Sequence, residues 1–192
     1  MAIQFNVQDF SLPCAGRVAK EVTSTSPVLR FFVTAQPVYT TSAGGVLENP
    51  YTAIARAGIE SVVSVRDPGE AIYEPNPYDI TEPGQLILNA VSFTNVPLPH
   101  FIPATPTPGA PQTDLTQAQF NLQAYDAAGA LANWTPPALV HCSTGDRASA
   151  VFGVYLIVSC GYSNADALAF ATGKLVLQNA AFKTFLKSFK KP

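Results

Sequence analysis

Thirteen residues, 138–150, constrain this chain more than any other stretch: Ala-Leu-Val-His-Cys-Ser-Thr-Gly-Asp-Arg-Ala-Ser-Ala. Residues 138–140 form a short apolar run suited to a buried strand, and residues 148–159 are apolar enough for a buried helix. The residues between must turn sharply. A loop that ends in a helix N-terminus presents unpaired backbone N–H groups and the positive end of the helix dipole. An anion placed there is held without further arrangement. Gly145 allows close backbone approach, Arg147 offers a planar fork for two oxygens, and Cys142 lies in the same field.

That field favours a thiolate. Free cysteine ionises near a pKa of about 8.5, and a helix N-terminus with a neighbouring cation lowers it by several units, leaving an ionised nucleophile at neutral pH. A lone cysteine is more often a small buried hydrophobe. Here that reading must also account for His141 before it, Gly145 three positions on, Arg147 after that, and the strand and helix on either side. The stretch reads as an oxyanion cradle with a nucleophile at its base. Ser143, Thr144, Gly145, Asp146, Arg147, Ala148 and Ser149 are the candidate phosphate-binding residues, and Cys142 with Arg147 the candidate catalytic ones.

The loop His141-Cys142-Ser143-Thr144-Gly145-Asp146-Arg147 resembles the signature of the cysteine-dependent protein tyrosine phosphatase superfamily, His-Cys, five residues, then Arg. Four residues intervene here. That shorter form is similar to the loop of the bacterial beta-lactamase-hydrolase-like phosphatase domain, His-Cys-x-x-Gly-x-Arg. Residues 31–37, Phe-Phe-Val-Thr-Ala-Gln-Pro, resemble the strand and Gln-Pro turn that open that domain. Residues 57–70 resemble its helix end, strand and Arg-x-x-Gly-Glu turn, with Arg66, Gly69 and Glu70 in the matching places. The resemblance implies a dual-specificity-like phosphatase fold and hydrolysis of phosphate monoesters, phosphotyrosine-like or small, through a cysteinyl-phosphate. It requires no cofactor and no metal.

The leaving oxygen in such a reaction needs a proton donor. In dual-specificity phosphatases an acidic residue follows the third core strand, and His100 falls near that place here. An imidazole titrates in the useful range, although an exposed loop histidine has the same sequence appearance. Asp146 is a rival, since some phosphoinositide phosphatases carry Asp just before the signature Arg, and Asp67 is a third candidate. Sequence leaves them unranked. His141, one residue before the nucleophile on the strand, points to the opposite face and reads as a group that orients the loop. Arg66 and Asp67 leave the carboxyl end of a predicted strand, the edge where ligands sit in α/β sheets. Ser149, or else Ser143, is placed to donate a hydrogen bond to the thiolate. Two other classes remain open: a phosphate or oxyanion-binding module without turnover, motivated by the missing carboxylate after residues 97–99, and a rhodanese-like persulfide enzyme.

Strand and helix patterns alternate along the chain, which predicts one α/β domain with a mainly parallel sheet of four to five strands flanked by helices. Residues 1–27, broken by Pro13, Gly16 and Pro27, read as an N-terminal arm with at most a short strand, ahead of a phosphatase-like domain over 28–192. Strands are predicted over 28–34, 59–65, 91–98 and 138–140, and helices over 50–57, 81–90, 113–133, 148–160 and from 163. The prolines between 103 and 111 make an extended connector. Phe182, Phe185, Leu186 and Phe189 form a stripe at helical spacing, read as docking on the core while the neighbouring lysines face water, in preference to a membrane surface.

A net charge of -2 offers no electrostatic reason to expect nucleic acid as a partner. The expected partner is a phosphorylated small molecule or phosphoprotein, and oligomeric state is open. Three cysteines at wide spacing indicate neither a disulfide framework nor a metal site. With no basic, apolar leader and no long apolar run, the expectation is a cytoplasmic protein.

Overall fold

The apolar run at 138–141 becomes the central strand of a sheet, paired on both sides. The computed structural model describes residues 2–15, 17–41, 44–66, 82–98, 117–133 and 137–192. Its strands are β1 (Asn6–Phe10), β2 (Ala19–Thr25), β3 (Val28–Thr34), β4 (Thr40–Thr41), β5 (Leu47–Glu48), β6 (Ser61–Ser64), β7 (Ser92–Asn95) and β8 (Ala138–His141). Its helices are α1 (Pro50–Arg56), α2 (Glu82–Leu88), α3 (Gln117–Asn133), α4 (Asp146–Ser159), α5 (Asn164–Gly173) and α6 (Ala180–Ser188). The main sheet runs β1-β2-β3-β8-β6-β7, and β4 with β5 makes a separate two-stranded ribbon.

The four strands β3, β8, β6 and β7 are parallel, as the alternating pattern predicts. Six strands are present in place of the expected four to five, because residues assigned to an arm form β1 and β2, antiparallel to each other and to β3. Only Ala19 and Val22 of β2 enter the apolar core, while its remaining residues are polar, so no hydrophobic alternation announced it. Its backbone pairing with the strongly β-forming residues of β3 supplies what its side chains lack.

Register sets the site. Thr34, His141 and Ser64 lie side by side at the carboxyl ends of β3, β8 and β6, and Ser64 pairs onward with Asn95. The segments leaving these ends therefore begin on one rim. Alternation then sorts side chains between two faces. Val33, Val63, Ala138 and Val140 pack under α3, α4, α5 and α6, whereas Phe32, Val62 and Leu139 pack under α1 and α2. Asn49 caps α1, its Oδ1 accepting from the N–H groups of Tyr51 and Thr52.

The C-terminal stripe docks inward. Phe182, Phe185, Leu186 and Phe189 are buried, with Phe185 and Phe120 edge to face at 4.9 Å, so the apolar face of α6 is occupied by the protein's own core. Among the described residues no helix is long and apolar enough to cross a membrane.

Candidate active site

Between the end of β8 and the start of α4 the chain closes a tight cradle. Gly145, at φ 91° and ψ -15°, is the residue from which α4 starts. A Cβ there would stand 2.7 Å from Val176 Cγ2 and 3.5 Å from the Ala35 nitrogen. Positive φ and lack of space both demand glycine. The turn brings the Gly145 N–H to Cys142 Sγ, where it donates at 3.0 Å. Cys142 has no exposed surface and Ser143 and Arg147 are 2% exposed, so thiol and cation share a buried setting. Gly145→Ala is expected to destabilise the fold by about 1–3 kcal/mol and to cost activity as well, checked by thermal unfolding beside a turnover assay.

Arg147, on the first turn of α4, reaches back across the loop. Its Nη2 donates to Ser143 Oγ at 2.6 Å and its Nη1 to the Leu98 carbonyl at 2.9 Å. Leu98 follows β7, so the guanidinium ties the signature loop to the segment leaving the neighbouring parallel strand. Ser143 Oγ is thus engaged by Arg147. Ser149 Oγ donates to the Gly145 carbonyl at 2.8 Å and accepts from the Val176 N–H at 3.4 Å. The expectation that Ser149 donates to the thiolate is corrected: its proton goes to the helix carbonyl four residues back, as hydroxyls inside helices commonly arrange. Ala148 is fully buried in the first turn of α4.

Asp146 also differs from the sequence reading. Its Oδ1 accepts from the backbone N–H groups of Gln178 and Asn179 at 2.6 and 2.8 Å. Its Oδ2 takes Thr144 Oγ1 at 3.3 Å and pairs with Arg17 Nη1 at 3.1 Å. A carboxylate with both oxygens engaged by donors is a bolt, fastening the cradle to the α5–α6 connection and to the N-terminal residues. It is not poised to give a proton to substrate, so Asp146 is withdrawn as a candidate acid. Asp146→Asn should leave the shape of the pH–rate profile as in wild type. It should lower stability by about 1.5–3 kcal/mol, the range for hydrogen bonds to a charged group. Loss of one limb of that profile would restore Asp146 as the acid.

Alternation along β8 turns His141 away from the Cys142 face, toward α2. There its Nε2 lies 3.0 Å from Glu82 Oε1, with His141 fully buried. Burial raises the Glu82 carboxyl, but His141 and then Arg66 outweigh it, and its pKa falls below the ordinary 4.5. Burial first, and then Glu82, pushes the nearby Tyr51 hydroxyl upward. A depressed carboxyl contributes stability that is complete above its unfolded value and is lost as pH falls through the folded one. Glu82→Gln is therefore expected to cost about 1.5–3 kcal/mol at neutral pH. The difference from wild type should shrink as pH drops below 4.5, as read by denaturant unfolding at several pH values.

Of the residues singled out in the sequence, Cys142, Ser143, Thr144, Gly145, Asp146, Arg147, Ala148 and Ser149 make up the cradle and its helix start. His141 lies beneath it, and Arg66 lies two residues past β6, 9% exposed. His100, Asp67, Gly69, Glu70 and the 103–111 prolines lie outside the described residues. Sequence reasoning missed Glu82, which signalled only a helix start, and Arg17, whose separation of 159 positions from Val176 carries no local signal. Also missed was the connection at 176–179 that holds Asp146.

No family model matches the chain, and no curated protein matches it in sequence. Solved structures do resemble it. The core catalytic domain of the PP-IP phosphatase Siw14 from S. cerevisiae superposes with a TM-score of 0.55 at 13% identity, over 83% of this chain and 80% of that one. Tk-PTP in its active form gives 0.53 at 19% identity, over 84% and 90%. Kinase-associated phosphatase, carrying serine for its catalytic-site cysteine, gives 0.54 at 16% identity, over 98% and 94%. A mixed sheet flanked by helices, a strand-loop-helix cradle at its centre and these likenesses agree: the chain has the dual-specificity phosphatase fold.

Proposed function

We propose that this protein is a cysteine-dependent phosphatase acting on phosphate monoesters, phosphotyrosine-like or small-molecule. The observation that carries the reading is the cradle itself. A backbone N–H reaches Cys142 Sγ at 3.0 Å at the start of a 14-residue helix, with Arg147 buried against the same loop. Fold likeness supports it, although a fold alone does not assign chemistry.

In this mechanism the Cys142 thiolate attacks phosphorus in line. An S–P bond forms, the P–O bond to the leaving group breaks, and the departing oxygen takes a proton from a general acid, for which His100 and Asp67 are the remaining sequence candidates. Arg147 and the loop N–H groups hold the remaining phosphoryl oxygens, whose charge they stabilise without reorganising. Water then attacks phosphorus, the S–P bond breaks, and inorganic phosphate leaves with the thiolate restored. Asp146 and the Glu82–His141 contact act from behind, keeping the loop in the shape that aims its donors. None of these steps uses a metal or cofactor.

The test is hydrolysis of para-nitrophenyl phosphate across mildly acidic to mildly basic pH, with and without vanadate, an oxyanion that mimics the five-coordinate phosphorus. Turnover blocked by vanadate is expected. Phosphate binding without release from any ester would make the protein a binding module, and sulfur transfer from thiosulfate that survives Arg147→Ala would make it a persulfide enzyme.

A further inference from the structure

The cradle holds a carboxylate of its own. The positive end of α4 favours an anion, and Asp146 already places one in that first turn. Left unbalanced, it would repel an incoming phosphoryl group and compete with it for the guanidinium of Arg147, the next residue along the chain. The Gln178 and Asn179 N–H groups and Thr144 Oγ1 satisfy its lone pairs but leave its charge in place. Arg147 is turned elsewhere, to Ser143 and Leu98. Among the described residues the cation that meets Asp146 is Arg17, Nη1 to Oδ2 at 3.1 Å, with the two side chains 24% and 11% exposed. A pair so far withdrawn from water is screened less by salt than a surface one.

Arg17 is held in place from several sides. Its Nη1 also donates to the Val176 carbonyl at 2.5 Å, and its Nη2 donates to Gln178 Oε1 at 3.3 Å. Its own carbonyl accepts from Cys14 Sγ at 2.7 Å. One residue after Cys14, the Ala15 N–H donates to the Gln36 carbonyl at 2.8 Å, and the Gln36 N–H in turn donates to the Ser143 carbonyl at 3.3 Å. One short N-terminal stretch thus reaches the cradle by two routes. Gln36 carries the first to Ser143, and Arg17 carries the second to Asp146 and to Val176, whose Cγ2 crowds Gly145. The guanidinium is placed before any substrate arrives, so no ordering cost falls on binding.

We propose that Arg17 is a positioning residue of the cradle, the counter-charge that lets a loop carrying Asp146 accept a phosphoryl group. This inference rests on the phosphatase reading above and assigns one more residue to that site. Arg17 acts through Asp146 and touches no reacting atom. Removing its charge alone leaves a partly buried carboxylate without its cation, beside the donors that hold the phosphoryl oxygens. Removing both charges takes away the repulsion together with the need for Arg17, so the two changes are coupled. A brace that only tied the N-terminal stretch to the 176–179 connection would cost stability and nothing else.

The experiment measures kcat/KM on para-nitrophenyl phosphate and the Kd of vanadate, well below the unfolding temperature, for the full chain and for Arg17→Gln, Arg17→Lys, Asp146→Asn and the double variant Arg17→Gln/Asp146→Asn. Arg17→Gln keeps an N–H donor and loses the charge, and should lower kcat/KM and weaken vanadate binding by about 10- to 100-fold, the range of coupling between contacting groups. Arg17→Lys keeps the charge and should stay much closer to wild type. With Asp146→Asn already present, Arg17→Gln should cost no more than about twofold, the margin within which independent changes add. An equal cost in both backgrounds overturns the inference. So does an Arg17→Gln protein that melts earlier yet turns over and binds vanadate like wild type, since that is the behaviour of a brace. Should Arg17→Gln fail to fold, Arg17→Lys decides: a fall in kcat/KM of less than about 10-fold sustains the inference, and a larger one overturns it. If wild type hydrolyses no ester but binds vanadate, the phosphatase reading fails separately and the same comparison is read from the vanadate Kd. If wild type binds no vanadate, both are overturned.

Discussion

Cys142→Ser is expected to abolish hydrolysis of para-nitrophenyl phosphate, by at least about 10⁴-fold, the scale on which loss of an essential nucleophile is felt. The reason is ionisation. The proposed chemistry needs a thiolate at Cys142, whose Sγ accepts from the Gly145 N–H at the head of α4. A serine hydroxyl in the same place stays protonated at any pH where the fold survives. The substitution is nearly isosteric, so the cradle should persist and bind vanadate or phosphate about as well as wild type. Measured together, lost turnover and retained binding separate a missing nucleophile from a misfolded loop. Wild-type rates in Cys142→Ser would place the nucleophile elsewhere.

Arg147→Ala is expected to lower kcat/KM by about 10²–10³-fold, the cost of removing one donor from a preorganised oxyanion site. Arg147→Lys should recover only part of it. Lysine keeps the charge but lacks the rigid fork, which here spans from Ser143 Oγ to the Leu98 carbonyl, two buried acceptors on different segments. A single ammonium group cannot hold both in that geometry and also present two parallel N–H groups to a phosphoryl group. Both variants should unfold more readily than wild type, because buried acceptors lose their donor. If Arg147→Lys matched wild type in kcat/KM while Arg147→Ala did not, charge alone would account for the residue.

Several parts of this structure were legible in sequence because their causes are local. The Asn49-Pro50 start of α1, the Phe182–Phe189 stripe of α6 and the apolar run of β8 each follow from residues within a turn or two of one another. The cradle was legible for the same reason, since strand, turn glycine, thiol and guanidinium all lie within thirteen residues. Even the face on which His141 lies follows from the two-residue period of a strand.

What escaped depends on contacts between distant segments. The polar residues of β1 and β2 joined the sheet through backbone pairing, which side-chain pattern does not report. Asp146 looked like an acid beside the signature arginine until Arg17, Gln178 and Asn179 were found to enclose it. Ser149 looked like a donor to sulfur until the helix placed the Gly145 carbonyl nearer. By itself, then, the sequence determined that the thiol, the guanidinium and the turn that joins them lie together, because covalent neighbours cannot be far apart. Only the tertiary structure decided which carboxylates are occupied and which donors reach the loop, because a polar group's role depends on the partners that folding brings to it.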